Sequence, residues 1–175
     1  MKLHVLVAAG LFAATPVLAQ SIGEKTGVNS LIGIAPKTAD FVKEVAVSDM
    51  FEIKSSELAA ERADEATKTF AKQMIADHRK TSGELKGLVE SGKVQAALPA
   101  ELDSAHQKKL DTLAGLKGGD FTKQYHSDQV KAHKDAVDLF KRYGDGGENA
   151  DLKAWAAKTR PALEGHLKMA EDLDK

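Results

Sequence analysis

The stretch TADFVKEVAVSDMFEIKSSELAAER, residues 38–62, carries the pattern that decides the fold. One set of positions recurs at spacings of 4, 3, 4, 3 and 4 residues, which is the period of one face of an α-helix. These positions are Phe41, Val45, Ser48, Glu52, Ser55 and Ala59. Thr38 suits the N-cap and Asp40 the first turn, so the pattern predicts a long amphipathic helix that begins at Thr38.

The same period continues along the rest of the chain. A second helix is predicted over residues 64–91, with Asp64 as its N-cap and Gly92 as its stop. A shorter helix is expected to open at Leu98-Pro99-Ala100-Glu101, since proline is favoured at the first helical position. Two further long helices are predicted over residues 121–143 and 150–173, capped by Asp120 and Asn149.

No stretch alternates with the two-residue period of a strand, so the predicted fold class is all-α. Pro161 lies inside the last predicted helix and should kink it. Four long helices and one short one favour an antiparallel four-helix bundle, with the short helix in the connection between long helices 2 and 3.

Composition excludes several classes of protein. Of 175 residues 42% are hydrophobic, and 25 basic residues nearly balance 26 acidic ones, which argues against a disordered chain and against a nucleic-acid-binding surface. The chain has no cysteine, which excludes disulfides, thiolate zinc sites, iron–sulfur clusters and a cysteine nucleophile.

Residues 1–19, MKLHVLVAAGLFAATPVLA, have the form of a secretory signal peptide that is cleaved between Ala19 and Gln20. We therefore expect an exported protein, in the periplasm, with an extracellular or outer-membrane-associated location as the alternative. No later stretch is long and apolar enough to span a bilayer. Residues 20–37, with three glycines and Pro36, are expected to form a flexible linker, and residues 38–175 the helical domain.

Each long helix places one ionisable residue on its apolar face: Glu52, His78, His133 and His166. A buried ionisable group must be paired or must bind a metal. Imidazole and carboxylate ligands suit one transition-metal ion, namely zinc, copper, iron or manganese. The alternative is that each histidine is a hydrogen-bonded core residue, with Asp77, Asp128, Glu52 and Tyr125 as candidate partners.

Helical rise gives an expected level for each of these residues, if both helical hairpins turn at the same end of the bundle. On that assumption Glu52 meets His133 and is within reach of His78. His166 lies about two turns deeper, near His126, so a four-ligand site is not favoured. His106, on a polar stretch of the short helix, is expected at the surface.

Known catalytic patterns are missing from the sequence. No serine lies in a nucleophile-elbow glycine pattern, and the glycines at 144–147 lack the lysine that follows in a phosphate-binding loop. We therefore expect no catalysis of these kinds.

Residues 38–173 resemble the secreted bacterial proteins of domain-of-unknown-function family 4142. The resemblance rests on short ordered motifs: Asp40-Phe41-Val42, Met50 to Glu52, Leu58-Ala59, Phe70-Ala71, Met74, Asp77-His78, Leu98-Pro99, Phe121, Tyr125, His133, Val137, Phe140, Trp155-Ala156, Pro161 and His166-Leu167. The chain departs from the family at Ala63-Asp64, where an Asn/Ser-Pro break is usual.

The resemblance implies a ferritin-like helical bundle in which Glu52, Asp77-His78, His133 and His166 fall on characteristic polar positions. It implies no activity. A di-iron carboxylate centre requires Glu-x-x-His on two helices, and the residues three before the core histidines are Ile75, Val130 and Leu163.

These observations leave two hypotheses for function. The first is a binding or envelope-stress module for an unknown ligand, with an envelope protein or a second copy of the chain as its partner. The second is a mononuclear transition-metal binder that uses Glu52, His78, His133 and His166, with an oxidoreductase as an extension of it.

Overall fold

A computed structural model describes residue 30 and residues 33–175 of the chain. The predicted signal peptide and most of the predicted linker lie outside these residues. The part described is all-α, as predicted, and contains five helices and no strand. The helices are α1 (Thr38–Arg62), α2 (Glu65–Glu90), α3 (Ser104–Gly115), α4 (Gly118–Gly146) and α5 (Ala150–Leu173). None of them is long and apolar enough to cross a membrane.

The helix starts follow the predicted caps in two cases. Asp64 accepts a hydrogen bond from the backbone N–H of Thr67 at the start of α2, and Asn149 accepts one from Leu152 at the start of α5. The N-cap prediction for Thr38 is wrong, because α1 begins after Lys37 with no side-chain cap. The Thr38 hydroxyl is instead hydrogen-bonded to the Tyr143 hydroxyl at 2.7 Å.

Two other predicted starts are also wrong. The short helix α3 does not open at Pro99 but at Ser104, because the carboxylate of Asp103 supplies the acceptor for the His106 N–H. Helix α4 begins at Gly118, which has a positive φ of 56°, so that Asp120 lies in the first turn rather than at the cap. Asp120 there still favours the helix through its charge.

Interhelical contacts fix the direction of each long helix. Arg79 of α2 donates to Glu57 of α1, and Ser82, further along α2, donates to Asp49, earlier in α1. Helices α1 and α2 therefore run antiparallel. Lys134, in the middle of α4, forms an ion pair with Glu171 near the end of α5, whereas Gly144, near the end of α4, lies against Ala157 in the first half of α5. Helices α4 and α5 therefore also run antiparallel. The two helix pairs pack together through α1 against α4 and α2 against α5.

The two pairs turn at opposite ends of the molecule. At the start of α1, the Phe41 ring stacks on Tyr143 near the end of α4, with the ring centroids 4.1 Å apart. At the end of α1, the Arg62 guanidinium lies 5.8 Å from the centroid of the Phe121 ring, near the start of α4. Helix α1 is thus antiparallel to α4, and residues 91–117, which include α3, carry the chain from one end to the other.

The apolar core forms two clusters with a polar layer between them. The first includes Phe41, Val45, Leu85, Phe140, Tyr143, Trp155 and Leu163, and the second includes Ala59, Phe70, Met74, Leu113, Phe121, Tyr125 and Ala170. On every long helix, buried polar residues lie between the segments that supply the two clusters: Asp49, Glu52, Ser55, Ser56, His78, Gln129, His133 and His166. A polar layer therefore crosses the middle of the helical domain.

Candidate metal centre

Three histidines from three helices meet in the polar layer. His78 is on α2, His133 on α4 and His166 on α5, and one ring nitrogen of each lies within 4.8 Å of those of the other two. The ring centroids are 5.5 Å apart for His78 and His133, 5.7 Å for His78 and His166, and 5.4 Å for His133 and His166. All three side chains are buried.

Each histidine uses one ring nitrogen for a hydrogen bond to a residue outside the group of three. Nδ1 of His78 donates to Oδ1 of Asp49 at 2.8 Å. Nδ1 of His133 donates to the backbone carbonyl of Gln129 at 2.9 Å, and Nε2 of His166 donates to Oδ2 of Asp77 at 3.0 Å. Because a carbonyl oxygen only accepts, the bond to Gln129 leaves Nε2 of neutral His133 with a free lone pair.

The other ring nitrogens are buried and have no hydrogen-bond partner in the described part of the chain: Nε2 of His78, Nε2 of His133 and Nδ1 of His166. An unsatisfied buried polar atom costs about 1–3 kcal/mol. A single ligand shared by all three nitrogens would satisfy them at once. Metal-binding histidines also donate their second ring N–H to a carboxylate or a carbonyl, as these three do.

Glu52 belongs to the same layer and has an equally unusual environment. Its side chain is about 1% exposed, and neither carboxylate oxygen has a hydrogen-bond partner among the described residues. Burial raises the pKa of Glu52 to about 7; the charge of His78 and the nearby Gln129 amide offset this only in part. Glu52 is not one of the residues whose ligand atoms all lie within 4.8 Å of one another.

Electrostatics keep two of the three histidines neutral. Burial, with the positive charge of His78, lowers the pKa of His133 to about 3, and the same two causes lower the pKa of His166. Burial also disfavours the charged form of His78, but the hydrogen bond and charge of Asp49, with Glu52, outweigh it and raise the pKa of His78. Neutral imidazole is the form that binds metals.

The predicted level of His166 is wrong. Its depth relative to His133 was counted from a fourth helix that ends at residue 143, but α4 continues to Gly146, which moves His133 about one turn deeper, toward the level of His166. The assumption that both helical hairpins turn at the same end is also wrong, because they turn at opposite ends. His126 lies nearer the start of α4 and is hydrogen-bonded to Thr67. His106 is half-buried at the surface and bonds to Asp103.

Two groups that position the histidines were missed from the sequence. Asp49 lies three residues before Glu52 and four after Val45, a spacing that puts it on the same helix face. The contribution of Gln129 comes from its backbone, for which no side-chain pattern exists. Asp77, a candidate partner of a histidine, does pair with His166, whereas Asp128 accepts from Gln124 and Tyr125 is hydrogen-bonded to Ser56.

A cleft of about 750 Å³ leads from the surface to this layer between α1 and α4. His78 and Asp49 line its inner part, and Val47, Phe51, Leu139 and His106 form walls. The cleft therefore touches the polar layer at Asp49 and His78, whereas Glu52, His133 and His166 do not line it.

Comparison with known proteins identifies a family but no individual relative. The sequence model described as "Domain of unknown function (DUF4142)" matches residues 24–173. No curated protein and no solved structure matches the chain. The matched residues span all five helices and the polar layer between the two core clusters, and the chain belongs to domain-of-unknown-function family 4142.

Proposed function

We propose that this protein binds a single transition-metal ion through His78, His133 and His166. The observation that carries the proposal is the group of three ring nitrogens within 4.8 Å of one another, together with a buried, unpartnered nitrogen on each of the three rings. In a tetrahedral site with metal–nitrogen bonds of 2.0–2.1 Å, neighbouring nitrogens are about 3.3 Å apart. The three nitrogens would have to move at most about 1.5 Å closer to one another to surround an ion.

The donor set narrows the choice of metal. Three neutral imidazoles suit zinc, copper and iron(II), whereas manganese prefers oxygen ligands. The carboxylate of Glu52, buried in the same layer, supplies negative charge that offsets a divalent cation. Zinc is the reference ion for the tests below because three histidines are a known zinc ligand set.

The fold and location that we propose are those of an exported, ferritin-like four-helix bundle. Helices α2 and α4 run in the same direction, and one long connection joins them, which is the connectivity of ferritin-like bundles. The residues three before the histidines, Ile75, Val130 and Leu163, argue against a di-iron centre in this bundle. Export rests on the signal-like residues 1–19, with the periplasm as the proposed location.

A second candidate is a binding or envelope-stress module without a metal. The cleft between α1 and α4 supports it, because a concave site of about 750 Å³ can hold a small ligand. It leaves the three unpartnered histidine nitrogens and the buried Glu52 carboxylate unexplained, so we place it second.

The test is metal analysis of the protein purified from the periplasm, followed by zinc titration of the metal-free protein in a calorimeter. We expect about one ion per chain and a higher melting temperature with zinc. The double variant His78→Ala/His133→Ala should lose both, while His106→Ala, a histidine outside the group, should keep them. Protein that takes up no ion, and whose melting temperature is unchanged by zinc, copper or iron(II), would overturn the proposal.

A further inference from the structure

Two of the three histidines in the metal group are held by buried partners. The partner of His78 is the Asp49 carboxylate, which is buried and accepts a second hydrogen bond from the Ser82 hydroxyl. The partner of His133 is the backbone carbonyl of Gln129, one turn earlier in the same helix. Both bonds lie in the interior, where bulk water does not compete for them.

The bond that holds His166 reaches the surface instead. Its acceptor is the carboxylate of Asp77, whose side chain is 43% exposed, whereas the side chain of His166 is 7% exposed. Nε2 of His166 donates to Asp77, and Nδ1 is the nitrogen left for an ion. The imidazole ring therefore extends from an acceptor that water reaches to the buried group. Because water can replace Asp77 as the partner of Nε2, this ligand is the easiest of the three to release.

The helix is also weaker around His166 than around the other two histidines. Gly165 directly precedes His166, and Pro161 lies in the same helix five residues before His166. Glycine lowers helix stability relative to alanine, and proline removes one backbone hydrogen bond. Neither residue type occurs within four positions of His78 or His133. We therefore expect the turn of α5 that carries His166 to open more readily than the corresponding turns of α2 and α4.

The bond between His166 and Asp77 lies on the side of the domain opposite the α1–α4 cleft. Helix α2 packs against α1 and helix α5 packs against α4, so α2 and α5 form the other side. Of the three histidines, only His78 lines the cleft. An ion that arrives through the cleft meets the ligand that Asp49 fixes, whereas the α2–α5 side presents the ligand that can move.

We propose that the metal centre is exchangeable, and that the ion is taken up and released at the α2–α5 side when the bond between His166 and Asp77 breaks and the turn that carries His166 opens. Asp77 is a positioning residue that keeps His166 closed over the ion. His78 and His133 stay in place and hold the ion during transfer. This inference rests on the proposed metal site, and it adds that the protein carries or buffers an ion that it can give up.

The experiment measures the rates of zinc uptake and release by stopped flow on the full chain. Metal-free protein is mixed with zinc and a fluorescent zinc indicator for uptake, and zinc-loaded protein is mixed with excess chelator for release. Asp77→Ala removes a hydrogen bond to a charged group, so we expect uptake and release both to become about tenfold faster. A weaker ligand without a gate would speed release alone, and the loss of a surface negative charge would slow the uptake of a cation.

Three further variants separate the moving turn from other effects. Glu164→Gln removes an exposed carboxylate two residues before His166 and should leave both rates unchanged. Gly165→Ala adds a methyl group that has no neighbouring heavy atom within 4 Å and stabilises the helix, so both rates should fall about threefold. Asp49→Asn, which weakens the hold on His78, should speed release but not uptake.

The possible outcomes separate this inference from the metal proposal. If the wild type binds zinc and Asp77→Ala has the same two rates, exchange at His166 is overturned and the metal site stands. Faster uptake in Asp49→Asn but not in Asp77→Ala would place the moving ligand at His78, on the cleft side, and would also overturn the inference. Gly165→Ala rates equal to those of the wild type would overturn the opening of the turn. A wild-type chain that binds no ion would overturn both proposals.

Discussion

Asp49 of α1 holds His78 of α2 by a hydrogen bond of 2.8 Å in the interior of the helical domain. Both side chains are about 5% exposed or less. The second oxygen of Asp49 accepts a hydrogen bond from the Ser82 hydroxyl at 3.0 Å, so the carboxylate is itself fixed. The ring of His78 is therefore oriented by α1 and α2 together, with Nδ1 engaged and Nε2 left for a ligand.

Replacing Asp49 by asparagine should weaken metal binding without removing a metal ligand. The loss of the carboxylate makes His78 less basic and less firmly oriented, and changes of this kind usually cost about 10–100-fold in metal affinity. Competition with a chromogenic zinc chelator measures the affinity. Asp120→Asn, an exposed aspartate at the start of α4, serves as the control. An Asp49→Asn affinity equal to that of the control would contradict the role assigned to Asp49.

The buried carboxyl of Glu52 should make the metal-free protein less stable as pH rises. Its pKa is 4.5 in the unfolded chain and about 7 in the folded one. Between these values the folded chain holds a proton that the unfolded chain has released, so the free energy of unfolding falls as pH rises through this window. At 1.36 kcal/mol per pKa unit, the loss is about 3 kcal/mol above pH 7.

Glu52→Gln removes this titration and isolates its contribution. As pH rises from about 4.5 to 8, the free energy of unfolding of the variant should increase by about 3 kcal/mol relative to that of the wild type. Urea unfolding in the presence of a chelator measures it, with Glu57→Gln as the exposed control. If the free energies of unfolding of wild type and Glu52→Gln change with pH in parallel, burial does not raise the pKa of the Glu52 carboxyl.

The sequence was sufficient for the helices but not for their arrangement. Periodicity and capping residues such as Asp64 and Asn149 are local features, and the helix bounds follow from them to within a few residues in most cases. The direction of the second helix pair depends on how residues 91–117 cross the molecule, and no local pattern encodes that path. The level of His166 was wrong for a separate reason: α4 continues to Gly146, three residues beyond its predicted end, and this moves His133 deeper. The place of His166 on an apolar face was correctly predicted.

The residues of the candidate site could be predicted from the sequence, but the groups that orient them could not. His78, His133, His166 and Glu52 were all identified from the cost of burying an ionisable residue, and all four are buried. The partners that orient them depend on packing between helices, as for Asp49, or on the backbone, as for Gln129. These partners become visible only when the helices are placed side by side.

Asp64 is the N-cap of α2 and is one of only two residues between α1 and α2. We expect this cap to contribute measurably to stability. The carboxylate of Asp64 accepts hydrogen bonds from both the backbone N–H and the hydroxyl of Thr67, each at 3.0 Å. Asp64→Ala should lower the free energy of unfolding by about 1 kcal/mol in urea. Glu65→Ala, in the exposed first turn, should have a smaller effect. An equal effect of the two variants would show that charge at the helix start, rather than the cap, accounts for the loss.

Acid should destabilise the metal-free protein through His133. Its pKa is about 3 in the folded chain and 6.5 in the unfolded one, so below about pH 6.5 the unfolded chain takes up a proton that the folded chain does not. This contribution alone lowers the free energy of unfolding by about 2 kcal/mol as pH falls from about 8 to 5, and it opposes the contribution of Glu52. His133→Gln should lose this component of the slope, whereas His106→Gln should retain it. Urea unfolding of the three proteins with a chelator present provides the measurement, and an unchanged slope in His133→Gln would show that His133 is charged in the folded chain.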